Sequence, residues 1–179
     1  HTRFDCDWSS DVCSSDLGFS EALAILGPNG IGKTTLLRCI MCFLKLREGE
    51  VWIKGQPASR MDSREFWKNI SYVPQAKKLV FGYSALNMVV MGLSQNVRFG
   101  QTPKKEDYEK GMALLARFGI ENLAEQSCNT LSGGQLQMVL IARALIKNPG
   151  ILIMDEPESN LDMKNQLIVL NAIEELTKE

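Results

Sequence analysis

The chain has 179 residues, of which 45% are hydrophobic and 23% charged, and its formal net charge is -1. This length and composition are ordinary for a globular protein with one domain, or with one domain and a small inserted lobe. The near-neutral charge argues against a nucleic-acid partner, and no apolar run approaches the roughly 20 residues that are needed to span a bilayer.

Residues 1–17 show no pattern that is typical of a helix or a strand. They repeat the triplet Ser-Ser-Asp, and they lack the basic and apolar regions of a signal peptide. We interpret this segment as a non-native leader, because it looks like translated sequencing-adapter sequence. A natural polar tail is the alternative interpretation. The native sequence is then expected to begin near Gly18.

Short apolar runs predict the strands of a parallel sheet, and segments with helical periodicity lie between them. The predicted strands are residues 22–26, 50–54, 70–73 and 151–154. The predicted helices are residues 33–44, 84–91, 104–118, 136–147 and 164–178. Together they indicate an α/β fold with a core sheet in residues 18–75 and 149–179, interrupted by a helical lobe in residues 76–148.

Five cysteines are present, and Cys39 and Cys42 form a C-x-x-C. That spacing is consistent with a redox pair or a metal site. However, it lies in an apolar helical stretch, and no second ligand pair stands at zinc spacing. We therefore predict buried, reduced thiols and a reducing, cytoplasmic compartment.

The first chemical motif, Gly-Pro-Asn-Gly-Ile-Gly-Lys-Thr, fits G-x-x-x-x-G-K-[ST]. Glycines let successive backbone N–H groups wrap phosphates, and the N-terminus of the following helix adds positive potential. In such a loop Lys33 reaches the β- and γ-phosphates of a nucleotide, and the Thr34 hydroxyl ligates Mg²⁺. An ordinary turn before a helix is the alternative. The predicted ATP-binding residues are Gly27, Pro28, Asn29, Gly30, Ile31, Gly32, Lys33, Thr34 and Thr35.

The second chemical motif is an acidic pair, Asp155 and Glu156, directly after the apolar run 151–154. A carboxylate at the carboxyl end of a strand beside the phosphate-binding strand meets the Mg²⁺ shell, so Asp155 is predicted as a metal ligand. Glu156 is predicted as the general base that polarises the attacking water. Two solvated acids at a strand end are the alternative.

A third motif, Leu-Ser-Gly-Gly-Gln, could by composition be only a flexible turn before a helix. In combination with the two motifs above it resembles the signature of the ABC ATPase family, and the resemblance extends over residues 19–179. The signature residues are Leu131, Ser132, Gly133, Gly134 and Gln135. Gln75 resembles the Q-loop glutamine of the family, which senses the γ-phosphate and the metal, and Asp162 resembles the aspartate of the D-loop.

The resemblance implies a P-loop NTPase with a RecA-like parallel core and an inserted helical subdomain. It also implies a head-to-tail dimer in which ATP and Mg²⁺ lie between the P-loop of one subunit and the signature of the other. The catalytic residues would then be Glu156, Gln75 and Lys33, and Gln75 would also be a metal ligand. The implied partners are a second ATPase subunit, integral membrane permease subunits and, indirectly, an extracytoplasmic substrate-binding protein. Such a subunit is peripheral, on the cytoplasmic side of the membrane.

Three departures from the family pattern bear on activity. The leader replaces the region where an adenine-stacking aromatic residue is expected, and the switch histidine is expected beyond Glu179. Glu158 stands where the family commonly has Thr or Ser. We therefore expect a chain that is incomplete at its C-terminus and that hydrolyses ATP poorly by itself.

Two segments resemble the iron-chelate and vitamin B12 branch of ABC importers: residues 161–166, Leu-Asp-Met-Lys-Asn-Gln, and the segment 85–92. The methionine pair Met88 and Met91 is interpreted either as helix core or as a contact with the membrane subunit. Uptake of zinc, manganese or molybdate stays open. A non-transport ABC ATPase that acts on ribosomes or DNA is the alternative from another class, and an inert fragment is a further one.

Overall fold

The computed structural model describes residues 2–8, 11–17, 21–75, 82–96, 102–157 and 161–178. Within that part of the chain the strands are β1 Thr2–Trp8, β2 Asp11–Leu17, β3 Val51–Ile53, β4 Gln56–Pro57, β5 Ile70–Val73 and β6 Ile151–Met154. The helices are α1 Lys33–Ile40, α2 Ser63–Asn69, α3 Ala85–Val90, α4 Lys105–Arg117, α5 Gly133–Leu145 and α6 Met163–Lys178. No helix among the described residues is long and apolar enough to cross a membrane.

The chain divides into two compact units, one formed by His1–Phe66 with Glu174–Glu179 and the other by Trp67–Ile173. The first unit contains an antiparallel sheet with the strand order β2-β1-β3-β4. Two of its strands, β1 and β2, lie in residues 1–17, where the sequence shows no pattern that is typical of a strand. Strands can form there because backbone hydrogen bonds between neighbouring strands do not require alternating side chains.

The predicted strand at 22–26 is the main error in the first unit. These residues form no strand, and the side chains of Leu23 and Leu26 are 49% and 91% exposed. An apolar run becomes a buried strand only when neighbouring strands satisfy its backbone and helices cover its faces, and this segment joins neither sheet. Helix α1 also ends earlier than predicted, at Ile40, because Cys42 adopts a left-handed backbone with φ 59°.

The second unit is built on the parallel pair β5 and β6, in which Ile70 lies opposite Ile151 and Val73 opposite Met154. Both strands were predicted at these positions, although β6 is only half-buried along most of its length. Helix α5 packs against β5, α3 and α4, and its residues from Leu136 to Leu145 are buried with the exception of Arg143. It begins three residues earlier than predicted.

Hydrogen bonds from two side chains, Ser71 and Lys147, fix the direction of α5 relative to β5. The Ser71 hydroxyl donates to the backbone carbonyl of Ala144 at 2.7 Å. Just before Ser71 in the chain, the Lys147 ammonium donates to the carbonyls of Trp67 at 2.5 Å and Ile70, the first residue of β5, at 2.6 Å. Residues later in the helical segment therefore contact residues earlier in the strand segment, so α5 and β5 run in opposite directions. The N-terminus of α5 consequently points towards the carboxyl ends of β5 and β6.

The remaining helices begin close to their predicted positions because the sequence supplies local caps. Ser84 caps α3, where its hydroxyl oxygen accepts the backbone N–H of Asn87 at 3.2 Å. At α4 the backbone N–H of Lys104 donates to the Asp107 carboxylate at 2.9 Å. Such caps satisfy N–H groups that a helix leaves without partners in its first turn. The sequence analysis missed α2, a helix of seven residues.

Candidate functional site

The glycine-rich loop precedes α1, as the motif predicted. Gly30 and Gly32 have φ angles of 84° and 101°, a region that is strained for residues with a side chain, and Gly32 caps the helix. The ammonium of Lys33 donates to the carbonyl oxygens of Gly27 at 2.8 Å and Pro28 at 3.2 Å. The loop is thus folded around its own lysine, which holds a positive charge at the helix N-terminus.

The carboxyl edge of β5 and β6 brings together three predicted site residues. The amide nitrogen of Gln75 donates to the Glu156 carboxylate at 3.1 Å, although the two residues are 81 positions apart. Asp155 is 7% exposed, and its backbone N–H donates to the carbonyl of Val73 at 3.0 Å. This hydrogen bond to β5 therefore positions Asp155. We had expected the strand at 22–26, which precedes the glycine-rich loop, to lie beside it, but that strand does not form.

Glu156 has a backbone φ of 48°, which is uncommon for a residue other than glycine. Backbone strain of this kind persists only where the surrounding structure imposes it, and it concentrates at functional sites. Glu158, the departure noted in the sequence, lies outside the described residues.

The signature segment forms the start of α5. Ser132 is the N-cap: its hydroxyl oxygen accepts the backbone N–H of Gln135 at 3.2 Å, and the Gln135 side chain accepts the N–H of Ser132 at 2.9 Å. This reciprocal capping box holds the first turn in place. Ser132 and Gly133 are exposed. The helix start therefore presents backbone N–H groups of its first turn and the positive end of the helix dipole, which suit an anion.

Asp162 has a local structural role in addition to its predicted one. Asp162 directly precedes α6, which begins at Met163. Its carboxylate accepts the backbone N–H of Asn165, in the first turn of that helix, at 2.8 Å. In the same segment the Gln166 amide donates to the carbonyl of Leu161 at 3.2 Å. The run that suggested an importer branch is thus a helix-capping sequence, and the remaining D-loop positions 159–160 lie outside the described residues.

The cysteines and methionines are less uniform than predicted. Cys39 and Cys42 are free thiols, as expected, but Cys39 is half-buried and Cys42 is exposed because α1 ends before it. Among the described residues no group of His, Cys, Asp or Glu could hold a metal ion by itself. Met88 is buried at 4% exposure and belongs to the core, whereas Met91 is 40% exposed.

One polar residue of this unit escaped the sequence analysis. Gln137, one turn into α5, is fully buried, and neither its amide nitrogen nor its amide oxygen has a hydrogen-bond partner within the described ranges. Only its position two residues after the signature could have drawn attention to it, and composition does not distinguish it from an ordinary surface glutamine.

The sequence pattern of the family described as ABC transporter matches residues 11–159. The chain is 40% identical over 170 residues to the "Probable iron chelatin transport ATP-binding protein" of Helicobacter pylori, an alignment that covers 94% of this chain and 67% of that protein. It is 36% identical to a molybdate import ATP-binding protein of Haemophilus influenzae, with 91% of this chain and 59% of that protein covered. The chain thus spans 67% of the length of the first relative and 59% of the length of the second.

Solved structures agree with the sequence relatives. A metal-chelate type ABC transporter in an inward-facing conformation matches with a TM-score of 0.81 and 31% identity, over 99% of this chain and 68% of that chain. A dimeric bacterial ABC transporter cassette matches with a TM-score of 0.84 and 29% identity, over 99% of this chain and 83% of that chain. Both neighbours have the P-loop NTPase fold with which the predicted fold class agrees.

Proposed function

Because the chain belongs to the ABC transporter ATPase family, we propose that it is the ATP-binding and ATP-hydrolysing subunit of an importer for iron chelates or a related metal or cofactor substrate. The observation that carries the hydrolytic part of this proposal is the 3.1 Å hydrogen bond between Gln75 and Glu156 at the carboxyl edge of β5 and β6. It brings the residues proposed to sense the nucleotide and to act as base into direct contact.

The glycine-rich loop binds the phosphates. In the part of the chain that the structure describes, the Lys33 ammonium donates to backbone carbonyls of its own loop, at 2.8 and 3.2 Å. These carbonyls are weaker partners than a phosphate oxygen. Lys33 therefore turns to the β- and γ-phosphates when ATP binds, and backbone N–H groups of Gly27 to Thr35 complete the cradle. The Thr34 hydroxyl serves as a metal ligand.

The residues at the carboxyl edge fit a magnesium ion. Asp155 offers carboxylate oxygens in a buried position and Gln75 offers an amide oxygen, and oxygen donors are the ligands that Mg²⁺ prefers. When bound with ATP, Mg²⁺ neutralises charge that develops on the phosphates. Glu156 accepts a proton from the attacking water, and its hydrogen bond with Gln75 orients the carboxylate until the nucleotide arrives.

The partners follow from the family. We propose a second copy of the subunit, whose signature residues Leu131 to Gln135 would contact ATP held on the first copy, as the exposed and capped start of α5 permits. Asp162 of the D-loop would lie at the same dimer interface. Membrane permease subunits, and through them an extracytoplasmic binding protein, would place the chain at the cytoplasmic side of the membrane.

The substrate is the least constrained part of the proposal. Relatives are named for iron chelatin transport, molybdate import and phosphonate import. All three names describe ATP-binding proteins of transport systems, but the transported substrates differ. The iron-chelate assignment rests on the Helicobacter pylori relative and on the metal-chelate type transporter structure.

The proposal is tested first through Lys33. Lys33→Ala should weaken Mg-ATP binding by about 10- to 100-fold in calorimetry, because a charge-assisted contact to phosphate is lost. Lys45→Ala is the matched control, since it removes the same charge from an exposed lysine of the same unit. Equal affinity of the Lys33 variant and the control would refute the assignment of the loop.

A further inference from the structure

Gln137 is the one buried polar side chain of the described residues for which both side-chain polar atoms lack a hydrogen-bond partner. It is 0% exposed, on a helix whose neighbouring residues are also buried. Because the oxygen and the nitrogen are both without partners, exchanging the two ends of the amide does not change this result. Buried amides are nearly always paired, since an unpaired one carries the full cost of its desolvation.

The position of Gln137 follows from the two contacts that orient α5. Ala144, which accepts the Ser71 hydroxyl, is seven residues further along the helix, so the two residues lie two turns apart on the same side. Seven residues of helix rise by about 10 Å, the length of about three residues of strand. Since α5 and β5 run in opposite directions, Gln137 lies level with Pro74 and Gln75.

Gln137 is thus near the edge that carries the Gln75–Glu156 hydrogen bond, on the helix that begins with the signature. In the proposed function, the Gln75 oxygen ligates the metal and the Glu156 carboxylate turns to the attacking water. Their 3.1 Å hydrogen bond then opens, which frees the Gln75 amide nitrogen and a Glu156 oxygen at this edge. Resting on that function, we propose that Gln137 is a positioning residue: its amide hydrogen-bonds these freed groups in the Mg-ATP state and couples the signature helix to the Q-loop and the acidic pair.

The proposal has a thermodynamic signature that a purely structural role lacks. An unpaired amide destabilises the nucleotide-free state and gains its partners only in the Mg-ATP state. Methionine has a similar length and no strong hydrogen-bonding group. Gln137→Met therefore removes the cost of the unpaired amide from the nucleotide-free state, and it removes the new hydrogen bonds from the Mg-ATP state. We therefore expect the nucleotide-free variant to melt about 2–4 °C higher than the native chain. Its affinity for Mg-ATP should be about tenfold lower.

The experiment combines thermal denaturation without nucleotide and calorimetry with Mg-ATP, on the native chain, Gln137→Met and Gln137→Leu. Ser71→Ala is the matched control, because it removes a buried hydroxyl of the same helix–strand contact whose 2.7 Å hydrogen bond is already made. It should lower the melting temperature and leave ATP affinity unchanged. Lys33→Ala, measured in parallel, shows whether the glycine-rich loop binds ATP at all.

Two results would overturn the positioning role. If both Gln137 variants bind Mg-ATP like the native chain while Lys33→Ala does not, the proposed function survives and the role of Gln137 is wrong. If the variants melt below the native chain, the amide is already paired without nucleotide, and the argument from its unpaired state fails. A higher melting temperature together with weaker ATP binding supports the proposal.

Discussion

Gly92→Ala probes the contact on which the position of α5 depends. Gly92 follows α3, and a Cβ atom at this position would lie 2.1 Å from the backbone oxygen of Arg143 and 2.7 Å from a methyl carbon of Ile146. Ordinary van der Waals contacts begin at 3.4 Å, so the carbonyl of α5 would have to move by more than 1 Å. A backbone atom in the last turn of a buried helix cannot do so without displacing its neighbours.

The expected loss of stability is the balance of two opposing effects on the free energy of unfolding. Overpacking of a core costs about 1–3 kcal/mol, and a clash with backbone belongs at the upper end of that range. Replacing glycine also restricts the unfolded chain, which returns about 0.4–1 kcal/mol. The free energy of unfolding should therefore fall by about 2 kcal/mol, which lowers the melting temperature by about 4–8 °C for a chain of this size.

Circular dichroism at increasing temperature measures this loss. Gly82→Ala is the matched control, because its Cβ would meet only side-chain atoms, at 3.2 Å for Ser127 and 3.6 Å for Asn129. That variant should melt within about 2 °C of the native chain. If Gly92→Ala melts as Gly82→Ala does, the close approach of α5 to the end of α3 is not a property of the folded chain.

Two further predictions concern catalysis and pH. In a chain extended to the length of its relatives, Glu156→Gln should retain Mg-ATP binding while phosphate release falls by about 10²- to 10⁴-fold, because an amide cannot accept the proton of water. Glu125→Gln, at an exposed site, should hydrolyse ATP at the rate of the unsubstituted chain. A Glu156→Gln variant with native turnover would remove this residue from the role of base. Burial lowers the pKa of Lys147, so the unfolded chain binds this proton more tightly than the folded one. The melting temperature of the native chain relative to Lys147→Met should therefore rise as the pH increases towards the ordinary lysine pKa of 10.5, and a difference that stays constant with pH would contradict this linkage.

Local signals in the sequence were sufficient for most of the second unit. The strand Ile70–Val73 was predicted with its observed bounds because Pro74 stops it, and α3 and α4 were predicted because Ser84 and the pair Lys104–Asp107 supply caps within four residues. The motifs Gly27–Thr34 and Leu131–Gln135 are likewise contiguous. Their residue types predict which chemistry they serve without any knowledge of packing.

The failures arose where a neighbour far away in the sequence decides the outcome. The apolar run 22–26 has the composition of a strand, but a strand exists only with a partner to pair its backbone. The contact of Gln75 with Glu156 depends on the parallel register of β5 and β6, and the burial of Gln137 depends on which side of α5 faces β5. The sequence by itself thus determined the helix caps and the position of the glycine-rich loop before α1, because these are formed by residues that are close together in the sequence. Only the tertiary structure decided which acid meets the glutamine and which amide is left buried without a partner, because these outcomes depend on contacts between segments that no local pattern encodes.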